Sequence, residues 1–186
     1  QKGYIVYDHV GEGGYEETEA KIQKALGISD GEPMALENIP SPKVCFPQTP
    51  ELYLGYERGF IGNPRGFARD VQRDYTDDQK PYRTGVPYLH GAWRVTREYV
   101  EHARKGKDDF LTLLFEGVEA NVVAEKIDGR GTVEVWCEEK LVGIKEVSFP
   151  QMHNLITRTD AHPALLKLVP KEEGIRFYAF TFGGCR

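Results

Sequence analysis

Cysteine is scarce in this chain of 186 residues, and its three copies, Cys45, Cys137 and Cys185, lie far apart. No C-x-x-C spacing occurs, which excludes a dithiol redox centre and a zinc site with paired cysteine ligands. Three cysteines are also too few for a scaffold held by several disulfides. A single long-range disulfide is left open, but we favour three separate thiols, either buried or near frayed ends.

Long apolar runs are missing as well. No stretch approaches the roughly 20 apolar residues that cross a bilayer, and the first residues lack the basic and apolar pattern of a signal peptide. The net charge is −5, and residues 1–40 carry all of that excess. The remaining charges balance, so no basic face for nucleic-acid phosphates is predicted. We therefore expect neither a membrane segment nor a nucleic-acid partner.

Motifs of the common catalytic and cofactor sites are also absent. The histidines show no metal-binding spacing such as H-x-H or H-E-x-x-H: His9, His90, His102, His153 and His162. There is no G-x-S-x-G sequence, no P-loop and no dinucleotide-binding fingerprint. Aspartates clustered within 70–78 leave a calcium site open, although they do not follow the EF-hand pattern. We predict no catalytic residue, no metal site and no cofactor.

Residues 1–28 predict one strand and one helix. Residues 4–10 are β-branched and aromatic, which favours a strand. The helix follows the glycine-rich turn at 11–14 and has acidic residues in its first turn, and Gly27 ends it. One strand and one helix cannot form a core alone, so they dock onto another domain or belong to a larger one. The proline-rich residues 29–48 predict a linker.

Residues 49–186 predict a mainly β domain. The first strand is expected within 49–60, where apolar residues alternate after Pro50. The Gly-, Pro- and Asp-rich segment 59–88 is too long for a simple connection and indicates a functional or disordered loop. Further strands are predicted over 89–103, two within 110–124, and over 132–137, 142–149, 155–159, 164–169 and 175–182, with a hairpin turn at 128–131. Eight or nine short strands separated by turns are typical of a β-sandwich or jelly roll.

Residues 3–26 follow the pattern YxHxGEGxYxETE, and three later stretches are Thr-Pro-Glu-Leu-Tyr-Leu-Gly-Tyr-Glu-Arg at 49–58, Leu-His-Gly-Ala-Trp at 89–93 and Tyr-Ala-Phe-Thr-Phe-Gly at 178–183. On these residues the chain resembles DipZ-like thiol–disulfide exchange proteins. The resemblance implies the C-terminal remnant of a thioredoxin-like α/β domain in 1–28 and a jelly roll similar to carbohydrate-binding modules in 49–186. It also implies a location outside the cytoplasmic membrane. The family's C-x-x-C half is absent, so redox catalysis transfers to no residue here.

Aromatic side chains beside charged ones mark the candidate ligand-binding surfaces. Flat rings bind the apolar faces of sugars, and carboxylates hydrogen-bond their hydroxyls. Trp136 shares a strand face with Glu134, and Tyr178 is expected to share one with Arg176, Phe180 and Phe182. The candidate ligand contacts are Trp93, Trp136, Tyr88, Tyr99, Tyr178 and Glu134. The same rings would suit a buried domain interface equally well, and for Trp93 alone we favour core packing.

These patterns predict a non-catalytic binding or accessory module of a thioredoxin-family protein, with a saccharide or an extended polypeptide as its ligand. One alternative is part of a thiol–disulfide oxidoreductase whose C-x-x-C lies outside this chain, with the β domain guiding the substrate. Another is a purely structural role for the aromatic faces. Because the N-terminal strand has no sheet neighbours in this chain, we also expect some tendency to form a homodimer through it.

Overall fold

The computed structural model of the chain describes residues 5–8, 15–27, 45–78, 80–105 and 108–185. They belong to two units, Gln1–Ser41 and Pro42–Arg186. The described part of the first unit contains one helix, and that of the second contains eleven strands. Among the described residues, no helix is long and apolar enough to cross a membrane.

The helix of the first unit, α1, spans Tyr15–Leu26 and confirms the predicted helix. Glu16 and Glu17 lie in its first turn, and Lys24 lies in its last turn. Acidic side chains at the start and a basic one at the end both complement the helix dipole. The chain leaves the helix at Gly27, whose N–H donates to the Lys24 carbonyl at 3.2 Å.

Other predictions for the N-terminal segment fall wholly or partly outside the described residues. The strand predicted over 4–10 is not found in its described part, 5–8. The linker predicted over 29–48 is described only from Cys45 onward. Its boundaries and the homodimer through the N-terminal strand stay predictions.

The second unit is built of short antiparallel strands. They are β1 (Leu52–Tyr53), β2 (Gln72–Tyr75), β3 (Pro87–Val95), β4 (Val100–His102), β5 (Phe110–Phe115), β6 (Glu119–Lys126), β7 (Gly131–Cys137), β8 (Lys140–Val147), β9 (Gln151–Thr157), β10 (Ala164–Pro170) and β11 (Ile175–Gly183). The strands pair in the order β8-β7-β10-β5-β3-β4-β11-β6-β9, with β1 beside β11 and β2 beside β3. The mainly β fold predicted from the sequence is confirmed.

Strand β3 belongs to two sheets. Its first half pairs with β5, and its second half pairs with β2 and β4. The first sheet therefore contains β1, β2, β4, β6, β9 and β11, and the second contains β5, β7, β8 and β10. The bend between the halves lies at Gly91, whose φ is +86°. A side chain there would place its Cβ 1.9 Å from an oxygen of Asp109, so only glycine fits.

One hydrophobic core lies between the two sheets. Its large, fully buried side chains come from both, including Trp93 and Phe177 from the first sheet and Leu113, Phe115 and Leu166 from the second. The rings of Trp93 and Phe177 lie 6.1 Å apart. Two sheets that share one core form a β-sandwich, as the alternating strands predicted.

The long strand predicted over 89–103 is wrong. The chain reverses at 96–99, so that β4 pairs antiparallel with the end of β3 and Val95 faces Val100. The N–H of Thr96 donates to the Tyr99 carbonyl at 2.8 Å, which closes this turn. The first strand is also shorter than predicted. Strand β1 ends at Tyr53, and by Tyr56 the backbone N–H donates to the Thr96 carbonyl and no longer to β11.

The predicted hairpin at 128–131 is a turn, but not a hairpin. Gly129 has the positive φ that was expected, +79°. However, β6 pairs with β9 and β11, whereas β7 pairs with β8 and β10. The turn therefore carries the chain from the first sheet to the second.

The face predicted for the aromatic residues of β11 is also corrected. The pairing with β6 skips one residue between Phe177 and Ala179. Such a bulge shifts the alternation, so Tyr178 stays on the outer face with Arg176, while Phe180 and Phe182 turn into the core.

Cys45 and Cys185 form a disulfide, which corrects the preference for three separate thiols. Their Cα atoms lie 4.0 Å apart although 140 positions separate them in the sequence. The N–H of Phe46 donates to the carbonyl of Gly184 at 2.7 Å, so the backbones are paired where the bond forms. Cys137 is a free, buried thiol.

The segment 59–88 is held against the sandwich. The buried Asn63 side chain donates to the carbonyls of Leu89 and Thr76, at 2.7 Å and 3.0 Å, and accepts from the Leu89 N–H. The segment also contributes the unpredicted strand β2 to the first sheet. Within the described residues, no three His, Cys, Asp or Glu side chains are placed to hold a metal ion, so the aspartates within 70–78 form no such cluster.

Candidate functional site

The candidate site lies on the outer face of the second sheet. There Trp136 of β7 is in register with Lys167 of β10, which is in register with Thr112 of β5, and Thr112 faces Tyr88 of β3. Residues in register point to the same side of a sheet, so these four side chains form one row across it. In β7, buried residues such as Val133 alternate with half-buried ones. This alternation places Trp136 on the outer face.

The covering segment, formed by residues 77–78 and 80–82, packs over one end of this row. The rings of Tyr82 and Tyr88 lie 5.2 Å apart, and the N–H of Arg83 donates to the Tyr88 hydroxyl at 3.3 Å. Between this segment and the sheet lies a cavity of about 260 Å³. We call it the tryptophan cavity, and its main lining residues are Asp77, Tyr82, His90, Phe110, Trp136 and Lys167.

The aromatic walls of the tryptophan cavity are fixed in place. The rings of His90 and Phe110 stack with their centroids 4.6 Å apart and their planes 9° apart. The Trp136 Nε1–H donates to Glu134 at 3.1 Å, and Lys171 binds the same carboxylate at 3.0 Å. Burial opposes the ionisation of Glu134, but these two donors prevail and lower its pKa. Glu134 is thus an ionised anchor for the indole ring.

Two buried oxygens of the cavity have no hydrogen-bond partner among the described residues: Oδ1 of Asp77 and Oγ1 of Thr112. The other carboxylate oxygen of Asp77 accepts a short hydrogen bond from the Tyr82 hydroxyl. Burial raises the pKa of Asp77, and the nearby Tyr82, His90 and Lys80 reduce that effect. A buried polar group without a partner costs about 1–3 kcal/mol, so both oxygens would gain from a hydrogen bond.

The rim of the cavity carries a strained turn. Strands β7 and β8 are joined by Glu138 and Glu139, whose φ angles are +48° and +63°. Two-residue hairpins of this kind usually use Asn and Gly, because most side chains clash at positive φ. Glu138 is held by Leu165, which accepts a hydrogen bond from its N–H and donates one to its carboxylate. Glu139 lines the tryptophan cavity and is exposed.

A second concavity lies on the first sheet. It has a volume of about 400 Å³, and we call it the tyrosine cleft after Tyr53 and Tyr178 in its lining. Arg58 lies 3.6 Å from the centroid of the Tyr53 ring. The hydroxyl of Tyr53 donates to Glu51 at 2.8 Å, and that of Tyr178 donates to Glu125. The phenols of the tyrosine cleft are therefore already satisfied, unlike the orphaned oxygens of the tryptophan cavity.

The six predicted ligand contacts fall in three places. Trp136 and Glu134 lie at the tryptophan cavity, and Tyr88 lies beneath its covering segment with only 1% of its surface exposed. Tyr178 lines the tyrosine cleft, and the Tyr99 ring packs 5.2 Å from it. Trp93 lies elsewhere, in the core.

Burial corrects two of these assignments. The Trp93 side chain is fully buried against Phe177 and His102, and its Nε1–H donates to the His90 carbonyl at 2.8 Å. Neither Trp93 nor Tyr88 lines the tryptophan cavity or the tyrosine cleft, so the structure places neither of them at a ligand surface. Core packing, which was favoured for Trp93 alone, is confirmed.

The sequence interpretation missed most of the cavity. Phe110 and Lys167 could have been found from the alternation of β5 and β10, which places them on the face opposite the buried Leu111 and Leu168. Asp77 and Tyr82 had no such signal, because residues 76–83 follow no strand period.

The model of one family, described as the thioredoxin-like C-terminal domain, matches residues 49–183. No curated protein matches the chain. Similar solved structures include a family two carbohydrate esterase from Clostridium thermocellum in complex with cellohexaose, at 20% identity and a TM-score of 0.42, over 46% of this chain and 27% of that one.

A two-domain esterase active on acetylated mannans, co-crystallised with mannopentaose, is 10% identical with a TM-score of 0.42, over 91% of this chain and 45% of that one. An arabinoxylan arabinofuranohydrolase of glycoside hydrolase family 43 from Bacillus subtilis, in complex with cellotetraose, is 15% identical with a TM-score of 0.36. The match covers 46% of this chain and 21% of that one. The chain thus spans less than half the length of each of these structures. Because the family model covers well over half of the residues, the chain belongs to the thioredoxin-like C-terminal domain family.

Proposed function

We propose that the β-sandwich is a non-catalytic saccharide-binding module that accompanies a thioredoxin domain, in a protein of the DipZ-like type. The observation that carries the proposal is the tryptophan cavity. In it, the rings of Trp136 and Phe110 and the orphaned oxygens of Asp77 and Thr112 line the same space.

A sugar ring matches this mixture of groups. Its C–H faces pack on aromatic rings, and its hydroxyls both donate and accept hydrogen bonds. A hydroxyl would donate to Oδ1 of Asp77, and another would pair with the Thr112 hydroxyl. A purely apolar ligand would leave both oxygens without partners. The volume of about 260 Å³ lies just below the roughly 300–1,000 Å³ of drug-sized pockets, which suits one sugar of a longer chain.

The non-catalytic role is part of the proposal because the resemblance places redox chemistry on a C-x-x-C that this chain lacks. The disulfide between Cys45 and Cys185 supports an extracytoplasmic location, since the reducing cytosol keeps most thiols reduced. The alternative, a domain that guides extended polypeptides to a thiol–disulfide oxidoreductase, is favoured by the larger tyrosine cleft. The two candidates thus predict ligands on different sheets.

The experiment is a titration of the chain with a panel of oligosaccharides, in which calorimetry and tryptophan fluorescence measure binding. The two variants are Trp136→Ala and Thr112→Val. We expect Trp136→Ala to weaken saccharide binding at least about tenfold, or about 1.4 kcal/mol. Thr112→Val removes the orphaned hydroxyl, so it should weaken binding while raising the free energy of unfolding by about 1 kcal/mol.

Tyr53→Ala in the tyrosine cleft is the matched control, and it should leave saccharide binding unchanged. Saccharide binding that survives Trp136→Ala but is lost in Tyr53→Ala would move the site to the cleft. Binding of an unfolded, reduced polypeptide alone, lost in Tyr53→Ala, would support the substrate-guiding alternative instead. If none of the saccharides binds, the proposal fails.

A further inference from the structure

The charges of the tryptophan cavity restrict which saccharide it can hold. Lys167 lines it, with Nζ 5.1 Å from the Trp136 ring centroid and 5.4 Å from that of Phe110. Such contacts hold an ammonium over the rings rather than in free solvent, with about 0.5–2 kcal/mol of stabilisation. The cation is therefore held in position on the wall of the cavity.

Lys167 has no carboxylate within salt-bridge distance among the described residues. Glu134, whose pKa Lys167 helps to lower, is already bound by Lys171 and by the Trp136 indole. Lys80 also lines the cavity, and within the described part of the chain it too makes no salt bridge. Two ammonium groups thus face the same space without a bound anion of their own.

The two carboxylates that line the cavity, Asp77 and Glu139, form no salt bridge with Lys80 or Lys167 among the described residues. Asp77 lies at the covered end, where its Oδ2 is occupied by Tyr82. Glu139 lies on the exposed rim, where water screens its charge. Hydrogen-bond acceptors are therefore concentrated under the covering segment, while the unpaired Lys167 lies over the aromatic pair.

We propose that the tryptophan cavity binds an acidic saccharide, whose uronate carboxylate pairs with Lys167 while a hydroxyl of the same ring donates to Asp77. This inference rests on the proposed saccharide function and specifies its ligand class. A neutral sugar could pack on the rings but would supply no counter-charge to Lys167. An acidic sugar keeps the ammonium in place and supplies its counter-charge.

The test compares uronate oligosaccharides of several linkage types with their methyl esters, which have the same backbone but no charge. Calorimetry should show at least tenfold tighter binding of the acids, and that preference should shrink as NaCl is raised from 50 to 500 mM. Lys167→Gln should abolish the preference by weakening the binding of the acids to the level of the esters. Lys167→Arg should keep it, which separates the loss of charge from misfolding.

Lys126→Gln is the matched control, since it removes one positive charge from the first sheet, outside the tryptophan cavity. It should leave the preference for acids intact. Equal affinity for acids and esters would overturn the inference and leave the saccharide proposal standing. A preference that survives Lys167→Gln would overturn the assigned role of Lys167. If the acids, the esters and the neutral oligosaccharides all fail to bind, both proposals are overturned.

Discussion

Removal of the buried carboxylate of Asp109 should destabilise the fold strongly. It accepts hydrogen bonds from the N–H of Ala92 at 3.0 Å and from Arg104 through two nitrogens, at 2.7 and 2.8 Å. The Nε2 atom of the fully buried His102 lies 3.3 Å away. Asp109 thus fixes the bend at Gly91, and with it the point where β3 passes between the sheets.

Asp109→Asn keeps the shape of the side chain but removes its charge. The amide oxygen can still accept from Ala92, but the NH₂ group then faces the donors of Arg104. Losing one partner of a buried ion pair costs about 3–5 kcal/mol, and we expect a smaller loss of about 2–3 kcal/mol here because Arg104 is 35% exposed and can rehydrate. For a domain of this size that corresponds to a fall in Tm of about 8 °C.

Urea unfolding followed by tryptophan fluorescence measures this loss, with Trp93 as a buried reporter beside His102. The control is Asp74→Asn, which removes the 69% exposed carboxylate on the other side of Arg104. That exposed pair should contribute less than about 1 kcal/mol. If the two variants are equally stable, the bend is not held by Asp109 and the reasoning fails.

The same carboxylate makes stability depend on pH. Burial opposes the ionisation of Asp109, but Arg104 and the Ala92 N–H outweigh it and lower its pKa. The stabilisation is therefore complete above the unfolded carboxyl pKa of about 4 and is lost as the pH falls through the lower folded pKa. The free energy of unfolding of Asp109→Asn should fall less steeply in acid than that of the unmodified chain.

Two further variants test the turn on the cavity rim and the disulfide. Glu139→Asn should raise the free energy of unfolding by about 1 kcal/mol, because Asn tolerates the positive φ better than Glu. If urea unfolding shows that the variant is less stable than the unmodified chain, the turn is not strained at Glu139. Replacing both Cys45 and Cys185 with Ser should lower the free energy of unfolding by about 2–4 kcal/mol, because the disulfide closes a long loop. Reducing the disulfide of the unmodified chain should lower its free energy of unfolding by the same amount. If a reductant also destabilises the double variant, the loss does not come from this disulfide.

Sequence alone predicts the strands whose two faces differ. Strand β7 was found because Val133, Val135 and Cys137 alternate with Thr, Glu and Trp, and the same pattern located Trp136 and Glu134. The turn at 96–99 was missed because Thr-Arg-Glu-Tyr contains neither glycine nor proline. In β11 the pattern continued through Tyr178, and only the pairing with β6 reveals the bulge.

Pairing between distant segments is what the sequence does not contain. The turn at Gly129 has the same local conformation whether it joins paired strands or crosses between sheets. The covering of the cavity by Asp77 and Tyr82 and the joining of Cys45 to Cys185 depend likewise on the path of the whole chain. Local patterns therefore predicted the sheet faces, whereas the cavity needed the tertiary structure.

The disulfide also has a mechanical consequence. Cys45 and Cys185 bracket every strand of the sandwich, and their Cα atoms are 4.0 Å apart. A pulling force applied to the chain before Cys45 and after Cys185 would pass through the covalent S–S bond and bypass the hydrogen-bonded ladders. While the bond is intact, such tension would leave the strands folded, and extension of the residues between the two cysteines would require reduction first.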